Sequence, residues 1–260
     1  MAKGKHFKKR SKGKFLIVCF TLILFASIIC IVLNLINRGN HDKLIISMKN
    51  DNSLPINNIN NNVETERMKK LKELQRENSD IIGWIEIEGS TIDYPVLQTT
   101  DNSFYMTHDY KKEYSKDGSL FLDKEYDWNL PSTNLLIYGH NNIGSTAMFS
   151  GLVNYEDENY YNNHKFIRFT TNKEDVEYEI IAVFLSRVYY KSEQDVFRYY
   201  YFINAANEEE FENYVKSSKE ASLYDIDATA QYGDQLLTLS TCSYHTEDGR
   251  LAVVARRVYE

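Results

Sequence analysis

The stretch "QLLTLSTCSYHTEDGRLAVVARRV" at residues 235–258 sets two apolar, β-rich runs on either side of a short polar turn. The first run ends at Cys242, "HTEDG" makes the turn, and Arg250 opens the second, a pattern that reads as a β-hairpin. In such a hairpin Arg250 lies nearest Cys242, with Arg256 and Arg257 further down the strand. The same stretch poses a chemical question. Cys242 is either a nucleophile served by neighbours such as His245 and Arg250, or a small buried residue without chemistry.

Outward from the hairpin, six more runs share its texture: "GWIEIEG", "STIDYPVLQ", "GSLFLD", "NLLIYGH", "KFIRFTT" and "EYEIIAVFLSRVYY". Val, Ile, Thr, Tyr and Phe fill them, while Gly, Asn and Asp mark the breaks. Many strands with few helices between them predict a mostly β fold, a closed or nearly closed barrel rich in antiparallel pairs. Most of the 20 tyrosines are expected to pack within that sheet. A helix is expected over 63–78, with Met68, Leu71, Leu74 and Gln75 on one face. A second is expected over 207–221, with Asn207 as its N-cap, glutamates in the first turn, and Phe211, Tyr214 and Val215 as its apolar face. "STAMFSGLVNY", after His140, suggests a shorter helical piece. The acidic run reads as a solvated helix start. No clustered ligand motif calls for a metal, no Gly-rich phosphate loop is present, and no cofactor is expected.

The N-terminal part has a different character. Residues 1–14 carry Lys3, Lys5, Lys8, Lys9, Arg10, Lys12 and Lys14 with no acidic residue, and 15–36 carry no charge at all. At about 1.5 Å per residue, that run can cross a hydrocarbon core of about 30 Å. The basic flank points to a cytoplasmic N-terminus, with everything beyond residue 36 outside the cell membrane. A cleaved signal peptide would have an apolar region of about 7–15 residues closed by small residues, so a retained single-pass anchor is expected instead. Residues 37–62, polar and Asn-rich, read as a linker or stalk. Residues 63–260 are enough for one domain with its own core. The net charge is −7, and the basic tail contributes +7 of it, leaving −14 on the remainder. An acidic outer part argues against nucleic acid as a partner.

This topology sharpens the cysteine count. Cys19 and Cys30 lie in the apolar run, leaving Cys242 as the one thiol outside it, with no partner for an intramolecular disulfide. A cysteine nucleophile needs an imidazole or guanidinium nearby to favour its thiolate. His164, in "YYNNHKF", reads as a surface residue of a polar turn, and His108, in "FYMTHDYKKEY", as a local capping or hydrogen-bonding residue. His245 falls in the loop beside Glu247 and Asp248, and nearness along a chain does not aim its ring at the sulfur. His140 ends a buried-type strand, and a strand end on a rigid barrel is a good seat for a base. On spacing alone, Arg250 is equally an ordinary strand-edge arginine or a guanidinium for a developing oxyanion.

Together, "TLSTC" closing a strand, "GR" opening the next and "IYGHN" at 137–141 resemble the sortase family. The resemblance spans nearly the whole chain, from basic tail through anchor and stalk to barrel. The helix between two late strands, the helix before the barrel, and "DNSFYMTHDY" followed by "GSLFLD" resemble class B members. The short loop between Cys242 and Arg250 is a departure, and it bears on the substrate-facing rim more than on the chemistry. The resemblance implies Cys242 as nucleophile, His140 as general acid/base, and Arg250 as the residue that stabilises the oxyanion or aligns substrate. It also implies that Asn102, Met106, Tyr138 and Ser240 line a groove for the sorting signal. Strand parity puts Ser240 on the same face as Cys242.

The implied reaction is cleavage of a surface protein's C-terminal sorting signal after Thr, through a thioester. Transfer to an amine of peptidoglycan follows, at the surface of a Gram-positive cell. A papain-like or cell-wall cysteine endopeptidase would generally place its cysteine early, on a helix, with the histidine downstream, the reverse of the order here. The SxGCxR-type signature of an L,D-transpeptidase is absent from "LSTCSYH". A rival of another class is a non-catalytic, membrane-anchored binding or scaffold protein with a sortase-like barrel. The presence of all three candidate residues stands against it.

Overall fold

Every strand of the large unit finds a hydrogen-bonded neighbour on both sides, which closes the sheet on itself. In the computed structural model, residues 12–49, 65–130 and 132–259 are described, and the chain divides into two units at 57/58. The larger unit contains β1 (Ile81–Glu86), β2 (Asp93–Leu97), β3 (Leu120–Leu122), β4 (Asn134–Tyr138), β5 (Phe166–Thr170), β6 (Asp175–Arg187), β7 (Leu236–Cys242) and β8 (Gly249–Arg257). Around the barrel the order is β1-β2-β3-β4-β7-β8-β6-β5, with β5 pairing back to β1. The expected closed, antiparallel-rich barrel is therefore found. Two of its eight pairings, β2 with β3 and β4 with β7, are parallel, a detail the strand pattern did not foresee.

The helices begin where their caps allow. α2 (Glu66–Glu77) starts after Thr65, whose hydroxyl accepts the Met68 N–H at 3.2 Å. It ends at Asn78, whose buried side-chain amide donates to the Tyr105 hydroxyl and the Tyr110 carbonyl. Leu71 supplies the buried contact of α2. After β4 come a 3-10 segment, Met148–Glu156, where a short helix was expected, and then α3 (Glu158–Asn163), which the sequence reading missed. α4 (Glu208–Ala221) lies between β6 and β7, capped by Asn207, which accepts the Glu210 N–H at 3.0 Å. It buries Phe211, Tyr214 and Val215, as its periodicity predicts.

Side-chain alternation separates the two faces of β7. Leu237 and Leu239 lie on the inner face with Val253 and Ala255 across the β7–β8 pair, all fully buried. Each of the leucine and valine side chains contributes about 1.5–3 kcal/mol. Thr238 and Ser240 lie on the other face, covered by the connection from β6 to β7: the Tyr214 hydroxyl meets Thr238 at 3.0 Å and the Tyr199 hydroxyl meets Ser240 at 2.7 Å. An eight-stranded barrel has room inside for side chains only, so this cover lies outside it. Asn134 fastens the cover, donating to the Phe202 carbonyl at 2.8 Å and accepting from the Thr238 hydroxyl at 2.9 Å.

In the smaller unit α1 (Lys12–Lys49) runs through the uncharged residues 15–36 and on through 37–49, the first part of the expected stalk. Extending an existing helix gains one hydrogen bond per residue fixed, so polar residues can continue it. Its apolar side chains, among them Ile17, Phe20, Leu24 and Leu33, are exposed, and Thr21 and Ser27 return their hydroxyls to the Val18 and Ile23 carbonyls. Among the described residues, no helix is long and apolar enough to cross a membrane. The side chains described in α1 run unbroken only over 17–33, so the expected span over 15–36 is not demonstrated. The tail 1–11, the stalk remainder 50–62 and residues 63–64 of the expected helix lie outside the described residues.

Asn134→Ala is expected to cost about 2–3 kcal/mol, because it orphans a buried carbonyl and loosens the cover together. Urea unfolding of the variant checks this; a loss below about 0.5 kcal/mol would mean the cover is held elsewhere.

Candidate active site

Cys242 is the last residue of β7, and its backbone partner across the antiparallel pair is Arg250. The turn between them is drawn tight: the Ser243 N–H donates to the Gly249 carbonyl at 3.0 Å and the Gly249 N–H to Thr246 at 3.2 Å. A Cβ at Gly249 would stand 2.3 Å from the Ser243 oxygen, so only glycine allows this closure. The Ser243 N–H is thereby occupied and is no donor for an oxyanion at Cys242. The Arg250 guanidinium remains available. Nη1 rests on the Asp248 and Gly249 carbonyls, while Nε and Nη2 make no hydrogen bond among the described residues. No carboxylate pairs with it among those residues either.

His140 follows β4, which runs parallel to β7 in the register Tyr138↔Ser240. Beyond that last pair the two chains stay laced together. The Gly139 N–H donates to Ser240 at 3.2 Å, the Thr241 hydroxyl donates to the Gly139 carbonyl at 2.7 Å, and the Asn141 amide donates to the Cys242 carbonyl at 3.0 Å. The Tyr244 hydroxyl closes the far side by donating to the Asn141 carbonyl at 2.6 Å. Gly139 lets Leu120 and Phe149 pack against this strand end, since a Cβ there would lie 2.3 Å from Leu120 and 2.7 Å from Phe149. Nε2 of the His140 ring faces the Met106 carbonyl at 2.7 Å. A carbonyl only accepts, so Nε2 carries the proton and Nδ1 of the neutral ring is left as the acceptor.

The other histidines are engaged elsewhere. His245 is exposed, with Nδ1 2.9 Å from the Ser243 hydroxyl. His108 stacks on Phe104 and contacts its carbonyl, while His164 does the same with Tyr160. Of the four residues expected to line a groove, Met106 is exposed and touches His140 through its carbonyl. Asn102 and Tyr138 meet on one buried carboxylate, that of Asp123. Ser240 is 2% exposed, and its hydroxyl is taken by Tyr199. Burial pushes the Tyr199 hydroxyl up to about 12, and burial followed by the Asp123 charge pushes that of Tyr138 up further. Sequence reasoning missed Asn141, Tyr244 and Asp123; only the "HNN" that follows the strand hinted at the first. Among the described residues no cluster of His, Cys, Asp and Glu could hold a metal.

Comparison with known proteins identifies the family. A Sortase domain model matches residues 85–258. The chain belongs to the sortase family, in its class B. Sortase B of Listeria monocytogenes is 33% identical over 201 residues, 76% of this chain and 77% of that protein. Clostridium perfringens sortase B superimposes with a TM-score of 0.65 at 32% identity, covering 72% of this chain and 99% of the other. Bacillus anthracis sortase B in complex with AAEK1 gives a TM-score of 0.70 at 28% identity, covering 87% and 100%. Sortases are cysteine transpeptidases that act on sorting signals and amine acceptors.

The geometry of the two histidines near Cys242 yields a clear expectation. His140→Ala should abolish acyl-enzyme formation with a sorting peptide, whereas His245→Ala should retain a substantial fraction, both read by intact-protein mass spectrometry. Equal losses would overturn the choice of His140.

Proposed function

We propose that this sortase cleaves a C-terminal sorting signal after its threonine, with Cys242 as nucleophile, His140 as general acid/base and Arg250 as the cation for the developing oxyanion. The observation that carries the reading is the rim where Cys242 faces Arg250 across the β7–β8 pair while Asn141 ties the His140 loop to the Cys242 carbonyl. The thiolate attacks the threonine carbonyl, and the Cys242 Sγ–C bond forms as the carbonyl electrons move onto oxygen. Arg250, through Nε and Nη2, is the donor free to meet that oxygen. As the tetrahedral species collapses, His140, whose Nδ1 has taken the Cys242 thiol proton, hands that proton to the leaving amine and the peptide bond breaks. An amine of peptidoglycan next attacks the thioester: the new C–N bond forms, the Cys242 Sγ–C bond breaks to release the thiolate, and Nδ1 of His140 accepts the amine proton. Met106 is assigned to the open surface of the groove that receives the signal, and Asn102, Tyr138 and Ser240 to its wall, which they support from beneath.

The sequence of α1 supports a reading of the chain's place in the cell. Residues 15–36 are uncharged, helical and flanked by a basic N-terminal segment. A helix apolar on every side and exposed in isolation suits a lipid surrounding, with its hydroxyls already bonded to its own backbone. The reading is a single-pass anchor with residues 1–14 in the cytoplasm, 37–62 as the stalk, and 63–260 acting outside on surface proteins and peptidoglycan.

The test is cleavage of fluorogenic sorting peptides by the full chain in detergent, alongside Cys242→Ala. Cleavage lost in Cys242→Ala, with labelling of Cys242 by a thiol probe in the wild type, is the expected result. No cleavage of any peptide and no labelling would sink the enzyme reading. Arg250→Lys should lower kcat/KM by at least about tenfold, since one ammonium cannot reproduce the planar fork, and near-normal turnover would remove Arg250 from the mechanism.

A further inference from the structure

The Asp123 carboxylate lies just beyond β3, in a residue only 5% exposed, and touches no residue of the proposed chemistry directly. Oδ2 accepts two hydrogen bonds, from the Tyr138 hydroxyl at 2.9 Å and from the Asn102 amide at 2.9 Å. Oδ1 accepts the Glu125 N–H at 2.9 Å. Among the described residues no cation forms an ion pair with it, and these three donors, with the field of nearby Lys124, balance the burial of its charge.

Both side chains held on Oδ2 lead to the same imidazole. Tyr138 is the last residue of β4, two positions before His140, and its ring lies against Phe121. Asn102 opens the other route, and its side-chain oxygen also accepts the Lys124 N–H at 2.8 Å. The next residues form one tight turn: Asp101 accepts the Ser103 and Phe104 N–H groups, and the Met106 N–H donates to Ser103. That turn aims the Met106 carbonyl, which accepts the hydrogen bond from Nε2 of His140. One route sets where the ring's backbone stands, and the other sets which way the ring faces.

We infer that Asp123 is a positioning residue for His140, holding through Tyr138 and Asn102 the two chain segments that converge on its ring. The inference rests on the sortase reading in which His140 is the acid/base. With the carboxylate replaced by an amide, one oxygen must serve three donors and an N–H₂ group is turned on at least one of them. The Met106 carbonyl and the strand end then lose their common reference, and the imidazole samples orientations that do not serve Cys242.

The test compares the full chain in detergent with Asp123→Asn, Tyr138→Phe and His140→Ala. Iodoacetamide alkylation across pH is read at Cys242 by peptide mass spectrometry, because Cys19 and Cys30 also carry thiols. Other ionisable groups around the thiol are unchanged in Asp123→Asn: Arg250 and Tyr199, with His245, Glu247 and Asp248 on the adjoining turn. Asp123→Asn is expected to move the alkylation profile in the same direction as His140→Ala. With a sorting peptide, it should lower kcat about tenfold while KM stays within about twofold. Tyr138→Phe keeps the Asp123 charge and removes one hydroxyl, so a partial shift there separates positioning from the loss of a field. It also decides the matter alone if Asp123→Asn fails to fold.

An Asp123→Asn profile that overlays the wild type overturns the inference, as does an unmoved profile in Tyr138→Phe or a loss confined to KM. An unmoved profile in His140→Ala also overturns it, because the imidazole would then not govern the thiol. A wild-type chain that cleaves no peptide counts against the transpeptidase reading instead, and the alkylation comparison still decides the role of Asp123.

Discussion

The parallel pairing of β4 with β7 is the constraint on which the rest of the site depends. Because both strands run the same way, in register from Asn134↔Leu236 to Tyr138↔Ser240, both end on the same rim of the barrel. His140 and Cys242 each stand two residues past the last pair. The antiparallel return of β8 then sets Arg250 opposite Cys242 with no further device. Had β4 and β7 run in opposite senses, the residues after β4 would emerge at the far end of the barrel from Cys242. Everything else at the rim, including the glycines and the lacing by Thr241 and Asn141, refines a meeting that strand direction has already arranged.

Parallel neighbours cannot be joined by a tight turn and need a crossover. Here the crossover is the long stretch from Gly139 to Gln235, and it carries β5, β6 and α4. Its last part folds over the outer face of β7 and meets two polar side chains in mid-strand, Thr238 and Ser240. Left unpaired in a buried sheet, each hydroxyl would cost about 1–3 kcal/mol. Tyr214 and Tyr199 satisfy them while their rings pack with Phe202 and Phe184. The tyrosines of this region are thus more specific than the packing role their number suggests.

Local patterns were legible where the physics is local. The eight strands, the Asn207 cap, the buried face of α4 and the Cys242–Arg250 hairpin depend on periodicity, capping oxygens and a short turn, all within a few residues. That His140 stands just past a strand end and His245 in an exposed loop was also within reach of the local pattern. The α3 turn was missed because "ENYYNN" is too short and polar to show a period. Asp123, Asn141 and Tyr244 were not legible, since the contacts that tie them to the rim reach 15 to 103 residues away in sequence.

By itself the sequence determined the inventory: strand-forming runs, one thiol outside the apolar segment, and a histidine and an arginine at strand ends. These follow from side-chain chemistry and local backbone preference, which act over a turn of helix or a hairpin. Only the tertiary structure decided that β4 and β7 run parallel, that Ser240 is buried under Tyr199, and that one buried carboxylate ties Asn102 to Tyr138. Strand order and direction are settled by how the whole chain buries its apolar faces while pairing every backbone group. That balance has no counterpart in any short stretch of residues.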